Sequence, residues 1–88
     1  MILIYSRTSA VVLELNNRIV VDPAVLVGKP IVRGTRISVQ QVLGHLADGW
    51  TAGEIVEEYP GLTQDDIAAC LAYARDLVAE EAIFPSAA

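Results

Sequence analysis

Ser38 to Val78, SVQQVLGHLADGWTAGEIVEEYPGLTQDDIAACLAYARDLV, decides the fold, because it carries three helix starts in succession. Ser38, Thr51 and Thr63 are each a hydroxyl residue placed just before an apolar-periodic run, where the side-chain oxygen can accept from an orphan N–H of the first turn. Gln41 and Glu54 stand three residues after Ser38 and Thr51, the spacing of a capping box. Val39, Val42, Leu43 and Leu46 recur at helical spacing and predict a first helix stopped at Gly49. A short second helix turns Ile55 and Val56 inward and ends before Tyr59-Pro60-Gly61. The third begins at Thr63 with Asp65 and Asp66 in its first turn, where carboxylates suit the positive end of the helix dipole. Ile67, Cys70, Leu71, Ala74, Leu77 and Val78 form its expected inward set, and its end is expected near Phe84-Pro85.

Upstream, the periodicity changes to short β-branched runs. Ile2 to Ile4 and Ala10 to Leu15 predict a hairpin around Ser6-Arg7-Thr8-Ser9, and Arg18 to Val21 a third strand ended by Asp22-Pro23. Val27 to Ile37 reads as an irregular loop or ribbon held by Gly28, Pro30 and Gly34. The expected fold class is therefore mainly α: a three-helix bundle with a short N-terminal β-element. Its parts are an N-terminal hairpin or dimerisation strands over 1–17, a three-helix domain with the basic loop over 18–84, and a frayed tail over 85–88.

Eighty-eight residues leave room for one core, and a 53% apolar share is high for so short a chain. Part of that surface is expected to be covered by a second subunit or a partner, so a homodimer is predicted. The apolar runs are far shorter than the roughly 20 residues that span a bilayer. No signal-peptide pattern opens the chain, so no membrane association and a cytoplasmic location are expected.

Charge is unevenly divided. Residues 1–44 hold five cations against two carboxylates, a net +3, and residues 45–88 hold Arg75 against nine carboxylates, a net −8. The two halves are expected to face different things. Within the first half, Lys29, Arg33 and Arg36 lie in eight residues, with Thr35 between them. This segment has two readings. It is a phosphate-contacting loop, because Lys, Arg and Thr supply donors and glycines allow close backbone approach. Alternatively the glycines and Pro30 shape a turn, and Arg33 or Arg36 pairs with Asp22 or a helix carboxylate. The acidic residues Glu54, Glu57 and Glu58 likewise read as a solvated face or as a surface meeting a cationic partner. Trp50 fills the gap between the first two helices or anchors a partner.

Catalysis has no candidate constellation. His45 is the single histidine and Cys70 the single cysteine, which removes the clusters that a nucleophile or a transition metal requires. Gly28 and Gly34 lack nucleotide-loop spacing. No enzyme activity, cofactor or metal is expected.

Several of these residues form a longer pattern. Asp22-Pro23, Gly28-Lys29-Pro30-Ile31-Val32-Arg33-Gly34-Thr35-Arg36-Ile37-Ser38-Val39, Ala47-Asp48-Gly49-Trp50-Thr51, Tyr59-Pro60, Leu62-Thr63 and Asp65-Asp66-Ile67 resemble the small bacterial family catalogued as domain of unknown function 433, over roughly residues 18 to 80. The resemblance implies a homeodomain-like, helix-turn-helix domain preceded by a β-element. It also implies the antitoxin half of a toxin–antitoxin pair that neutralises a PIN-type nuclease and binds its own operator DNA. In a helix-turn-helix the reading helix would begin with Gln64, Asp65 and Asp66, whose carboxylates oppose phosphate, so any DNA contact is assigned instead to the basic loop and the strands. A stand-alone transcriptional regulator and a purely structural dimerisation module are the alternatives.

Overall fold

The computed structural model describes residues 2–5 and 11–80, with side-chain surroundings for 12–80. The expected hairpin tip at Ser6 to Ser9, the end of the third helix near Phe84-Pro85 and the tail 85–88 lie outside the described residues.

Four strands, β1 (Ile2–Tyr5), β2 (Val11–Glu14), β3 (Ile19–Val21) and β4 (Pro30–Val32), form one antiparallel meander in the order β1-β2-β3-β4. The register pairs Ile4 with Val12, Glu14 with Val20, and Val20 with Ile31. Three helices follow, α1 (Val39–Ala47), α2 (Ala52–Glu58) and α3 (Gln64–Glu80). The helix count matches expectation, but the domain is mixed α and β instead of mainly α. Pro30 to Val32, within the segment expected as an irregular loop or ribbon, is a strand with proline at its first position, where the missing N–H is tolerated.

The sheet is apolar on both faces around β3 and β4, as alternation of side chains allows. Ile19 and Val32 face the helices and join Val39, Val42, Ile55, Leu62, Ile67 and Cys70 in the main core. Val12, Val20 and Ile31 form a second buried cluster under Val25 and Leu26. Each such side chain contributes about 1.5–3 kcal/mol on burial. The segment closing this second cluster is strained: Leu26, Val27 and Gly28 are successive left-handed residues at φ 48, 53 and 76°, and Val27 is 97% exposed.

Each helix start is capped. Ser38 Oγ accepts from Gln41 N at 2.9 Å, but Gln41 does not close the box, since its side chain donates to Tyr59 Oη at 3.0 Å. Thr51 and Glu54 form the full reciprocal box. Thr63 and Asp66 form another, with Thr63 N donating to Asp66 Oδ2 at 2.9 Å and Asp66 N donating to Thr63 Oγ1 at 3.2 Å. Past α1, Gly49 at φ +94° lets its N–H reach Leu46 O and Trp50 N–H reach His45 O, a Schellman closure.

The expected inward set of α3 holds only in part. Ile67 and Cys70 are buried, whereas Leu71, Leu77 and Val78 are 49, 48 and 66% exposed. Leu71 follows the buried Cys70 directly and lies off the packed face, whereas length explains Leu77 and Val78. At about 1.5 Å per residue α3 is about 25 Å long, while α1 and α2 reach about 13 and 10 Å, so its later turns outrun the helices packed on it.

Candidate functional site

The basic loop is a tight return from β4 into α1. Thr35 N donates to Val32 O at 3.0 Å, Thr35 Oγ1 donates to the same carbonyl at 2.8 Å and accepts from Ile37 N at 3.0 Å. Val32 N closes the loop on Ile37 O, and Gly34 supplies the left-handed residue at φ +78°. The Thr35 hydroxyl therefore has its hydrogen-bonding role inside the turn. Arg33 bridges back to β2, with Nη2 2.8 Å from Glu14 Oε2, a different partner from Asp22 or a helix carboxylate. Lys29 and Arg36 are exposed; Lys29 Nζ lies 3.5 Å from Gln40 Oε1, and Arg36 has no ion pair among the described residues. Of the four candidate residues, the structure gives Arg33 and Thr35 internal partners and leaves Lys29 and Arg36 exposed, one before β4 and one in the return after it.

Beside Arg33 lies a polar crevice lined by Asn17, Arg18, Arg33 and Asp66. Arg18 Nη1 donates to Asp66 Oδ1 at 3.0 Å, and Arg18 Nη2 lies 3.7 Å from Asp65. Burial pushes the Asp66 carboxyl up, but the Thr63 N–H, Arg18 and the Thr63 hydroxyl together hold it below its ordinary value. Asn16 completes the seam: its Oδ1 accepts from Arg18 N and Ile19 N, and its Nδ2 donates to Ala69 O of α3 at 3.2 Å. These contacts lock the β2–β3 turn onto α3. Arg18 was not among the residues marked by sequence, and no local pattern marks it, since Asp66 is 48 positions away.

The acidic side divides in the same way. Glu54 is held by the Thr51 backbone N–H and hydroxyl, which lower its carboxyl below the usual range. Glu57 and Glu58 are exposed on α2. Trp50 is half-buried against the core and stacks on His45 with ring centroids 4.3 Å apart. His45 Nε2 in turn lies 2.9 Å from Tyr59 Oη. Trp50 thus sits where α1 hands over to α2.

One hollow among the described residues was not anticipated from the sequence. An apolar trough of about 550 Å³ runs between α1 and α3, lined by Val39, Leu43, Gly44, Ala47, Tyr73 and Leu77, with Lys29 and Gln40 at its rim. The available signal was the pair of small residues Gly44 and Ala47, one turn apart on the α1 face. Among the described residues no group of three His, Cys, Asp or Glu gathers in metal-ligating geometry, and no helix is long and apolar enough to cross a membrane.

These features define a small mixed domain in which three capped helices lie against a four-stranded meander and a glycine-containing return leads into the first helix. The chain belongs to the family described as protein of unknown function (DUF433), whose model matches residues 19–74. Among solved structures it is similar to a DUF433 member protein from Anabaena variabilis, at 34% identity and a TM-score of 0.65, over 70% of this chain. The match spans 61% of that relative's chain. No curated protein matches. β1 and β2 precede the segment matched by the family model.

Proposed function

We propose that this protein is the antitoxin half of a toxin–antitoxin pair: a cytoplasmic homodimer that binds and silences a PIN-type nuclease and represses its own operon, acting by association and not by catalysis. The observation that carries this reading is the surface of α3. Leu71, Leu77 and Val78 are 49, 48 and 66% exposed on a half of the chain whose net charge is −8. The charged side chains beside it are carboxylates except Arg75, which pairs with Asp76, and such an acidic margin suits a partner protein of the opposite sign. A nuclease that draws in polyanionic RNA presents such a cationic face. Glu57 and Glu58 steer this encounter, Trp50 anchors its edge, and Glu54 keeps α2 in place.

The regulatory half of the reading rests on Lys29 and Arg36, with Arg33 and Thr35 shaping the loop that holds them. Two free cations per protomer support a salt slope of only about −1.8, and a dimer doubles it. Joining the N-terminal strands of two copies supplies that dimer, with the helices in a homeodomain-like arrangement turned away from the nucleic acid. A stand-alone DNA-binding regulator is the second reading, and the exposure of Lys29 and Arg36 beside the first turn of α1 favours it.

Affinity purification of the tagged protein from its host, followed by mass spectrometry and sizing of the eluate, tests both. A stoichiometric nuclease whose RNA cleavage is suppressed in the complex is the expected result. A lone dimer that binds DNA upstream of its own gene replaces the antitoxin reading with the regulator. A lone dimer without DNA affinity leaves a structural dimerisation module and sinks both.

A further inference from the structure

The loop over residues 22–29, which joins β3 to β4, holds an apolar side chain in solvent at its least favourable backbone position. Pro23, Ala24, Val25, Leu26 and Val27 are five successive apolar residues. Val25 and Leu26 are partly buried against the second core cluster, whereas Pro23 and Ala24 are exposed and Val27 is 97% exposed. Val27 also stands at φ 53° and ψ 39°, a left-handed conformation that a branched side chain disfavours. The turn is closed by backbone bonds, in which Val25 N donates to Asp22 O, Gly28 N to Val25 O and Lys29 N to Leu26 O. Its apex is thus fixed outward, and the Val27 side chain adds nothing to the core. An exposed apolar run in a strained, fixed conformation points to contact with another molecule.

Charge identifies the occupant. The pairing of Val21 with Pro30 sets Asp22 and Lys29 side by side at the base of the loop, and neither has an ion pair among the described residues. Asp22 Oδ1 accepts from Ala24 N at 2.9 Å, and Lys29 Nζ lies 3.5 Å from Gln40 Oε1, at the limit of a hydrogen bond. The loop is electrically balanced. By contrast α2 and the second half of α3 expose Glu57, Glu58, Asp76 and Glu80, with only Arg75, paired to Asp76, to offset them. Two copies repel through those carboxylates and not through the loop. A twofold axis passing between Asp22 and Lys29 sets each against the other's counterpart, twice over, so the patch is complementary to itself. We infer that a second copy of the chain covers the loop, with Val27 packed on the partner's Val27 and Asp22 facing Lys29 of the partner subunit. This rests on the reading of the chain as a homodimer and names the surface through which the copies meet.

Sedimentation equilibrium of the full chain at up to about 1 mM reads the association. The loop is smaller than the roughly 1,200 Å² at which specific interfaces become stable, so a dimer that dissociates in the micromolar range is expected. Val27→Asn suits the left-handed conformation. It is expected to leave the melting temperature unchanged or higher and to weaken the dimer by about tenfold or more. Lys29→Glu is expected to weaken it by a similar factor, because like charges then meet across the axis. The same change is expected to have little effect in an Asp22→Asn background, where the turn keeps its acceptor for Ala24 N. A full-strength dimer in Val27→Asn, or an equal effect of Lys29→Glu in both backgrounds, overturns the inference; the copies then meet elsewhere, as at the N-terminal strands, and the homodimer reading stands. A wild-type chain that stays monomeric at about 1 mM overturns both. A monomeric Val27→Asn that still captures a nuclease supports the inference and keeps this face apart from the nuclease surface. A Val27→Asn that stays dimeric but releases the nuclease overturns it, since the nuclease is then the occupant.

Discussion

Asp66 occupies the first turn of α3, yet its two oxygens serve different parts of the molecule. Oδ2 accepts the Thr63 N–H that begins the helix, and Oδ1 accepts from Arg18, which belongs to the β2–β3 turn. The side chain is only 10% exposed, so the charge is held by hydrogen bonds in place of water. Asp66→Asn keeps an acceptor for the cap but loses the charged partner of Arg18. The expected cost is about 2 kcal/mol, which lowers the melting temperature by roughly 8–16 °C in a domain of this size. The sign of its pH dependence follows from the lowered carboxyl. The stabilisation is complete above the ordinary value of 3.8 and is lost as pH falls through the lower folded value. Melting curves of the two proteins therefore converge as pH falls below the ordinary carboxyl value of 3.8; a gap that stays constant shows that the carboxylate charge is not responsible. Cys70, one turn further along α3, lies at the opposite extreme. Burial first, and the nearby Asp66 charge second, push its thiol up to about 11, and its surface is fully enclosed. At about pH 8 an aromatic disulfide reagent is expected to leave it untouched in the native protein and to label it fully after denaturation. Rapid native labelling places Cys70 at the surface.

At the scale of elements, α3 is two helices in one. Its first half is core and its second half is exposed, although the apolar spacing runs through both. Ile67→Ala is expected to cost about 2–5 kcal/mol by leaving a cavity, whereas Val78→Gln should change stability by less than about 0.5 kcal/mol. Urea titrations of the two variants measure the contrast, and a large loss for Val78→Gln shows that the second half is packed after all. The same contrast explains what was legible beforehand. Helix starts are local chemistry: Thr51 with Glu54 and Thr63 with Asp66 act over three residues, so their pattern survives in the linear sequence. Periodicity names the apolar face of a helix but not its cover, and Leu71, Leu77 and Val78 were accordingly placed inward. β4 was hidden because its three residues lie among Gly28, Pro30 and Gly34, whose turn chemistry dominates the reading. In the candidate site, the basic cluster was visible in composition, but the pairing that removes Arg33 from it comes from Glu14 in another strand. The trough was invisible for the same reason, since it is made only when α3 crosses α1.

For the molecule as a whole, the informative quantity is the division of charge, +3 over residues 1–44 and −8 over residues 45–88. The folded chain keeps these apart only in part, because Arg18 crosses to Asp66 and Arg33 is neutralised by Glu14 within the sheet half. Glu57, Glu58, Asp76 and Glu80 stay exposed on the helical side, and Lys29 and Arg36 stay exposed near the start of α1. An exposed field of this kind acts over about 10 Å at 0.1 M salt and shortens as salt rises. In the proposed complex such a field acts on encounter more than on the strength of the final contact, which that proposal assigns to the exposed apolar residues of α3. For the complex with a cationic partner, the association rate is expected to fall by about tenfold or more between low and high salt, with the dissociation rate nearly constant. Replacing Glu57 and Glu58 by Gln should flatten that salt dependence and leave the dissociation rate alone, whereas Leu77→Ala should speed dissociation and leave the salt dependence as it was. Stopped-flow mixing at several ionic strengths separates the two rates. If salt acts on dissociation instead, charges are buried in the contact itself, and the acidic side chains belong to its centre and not to its approach.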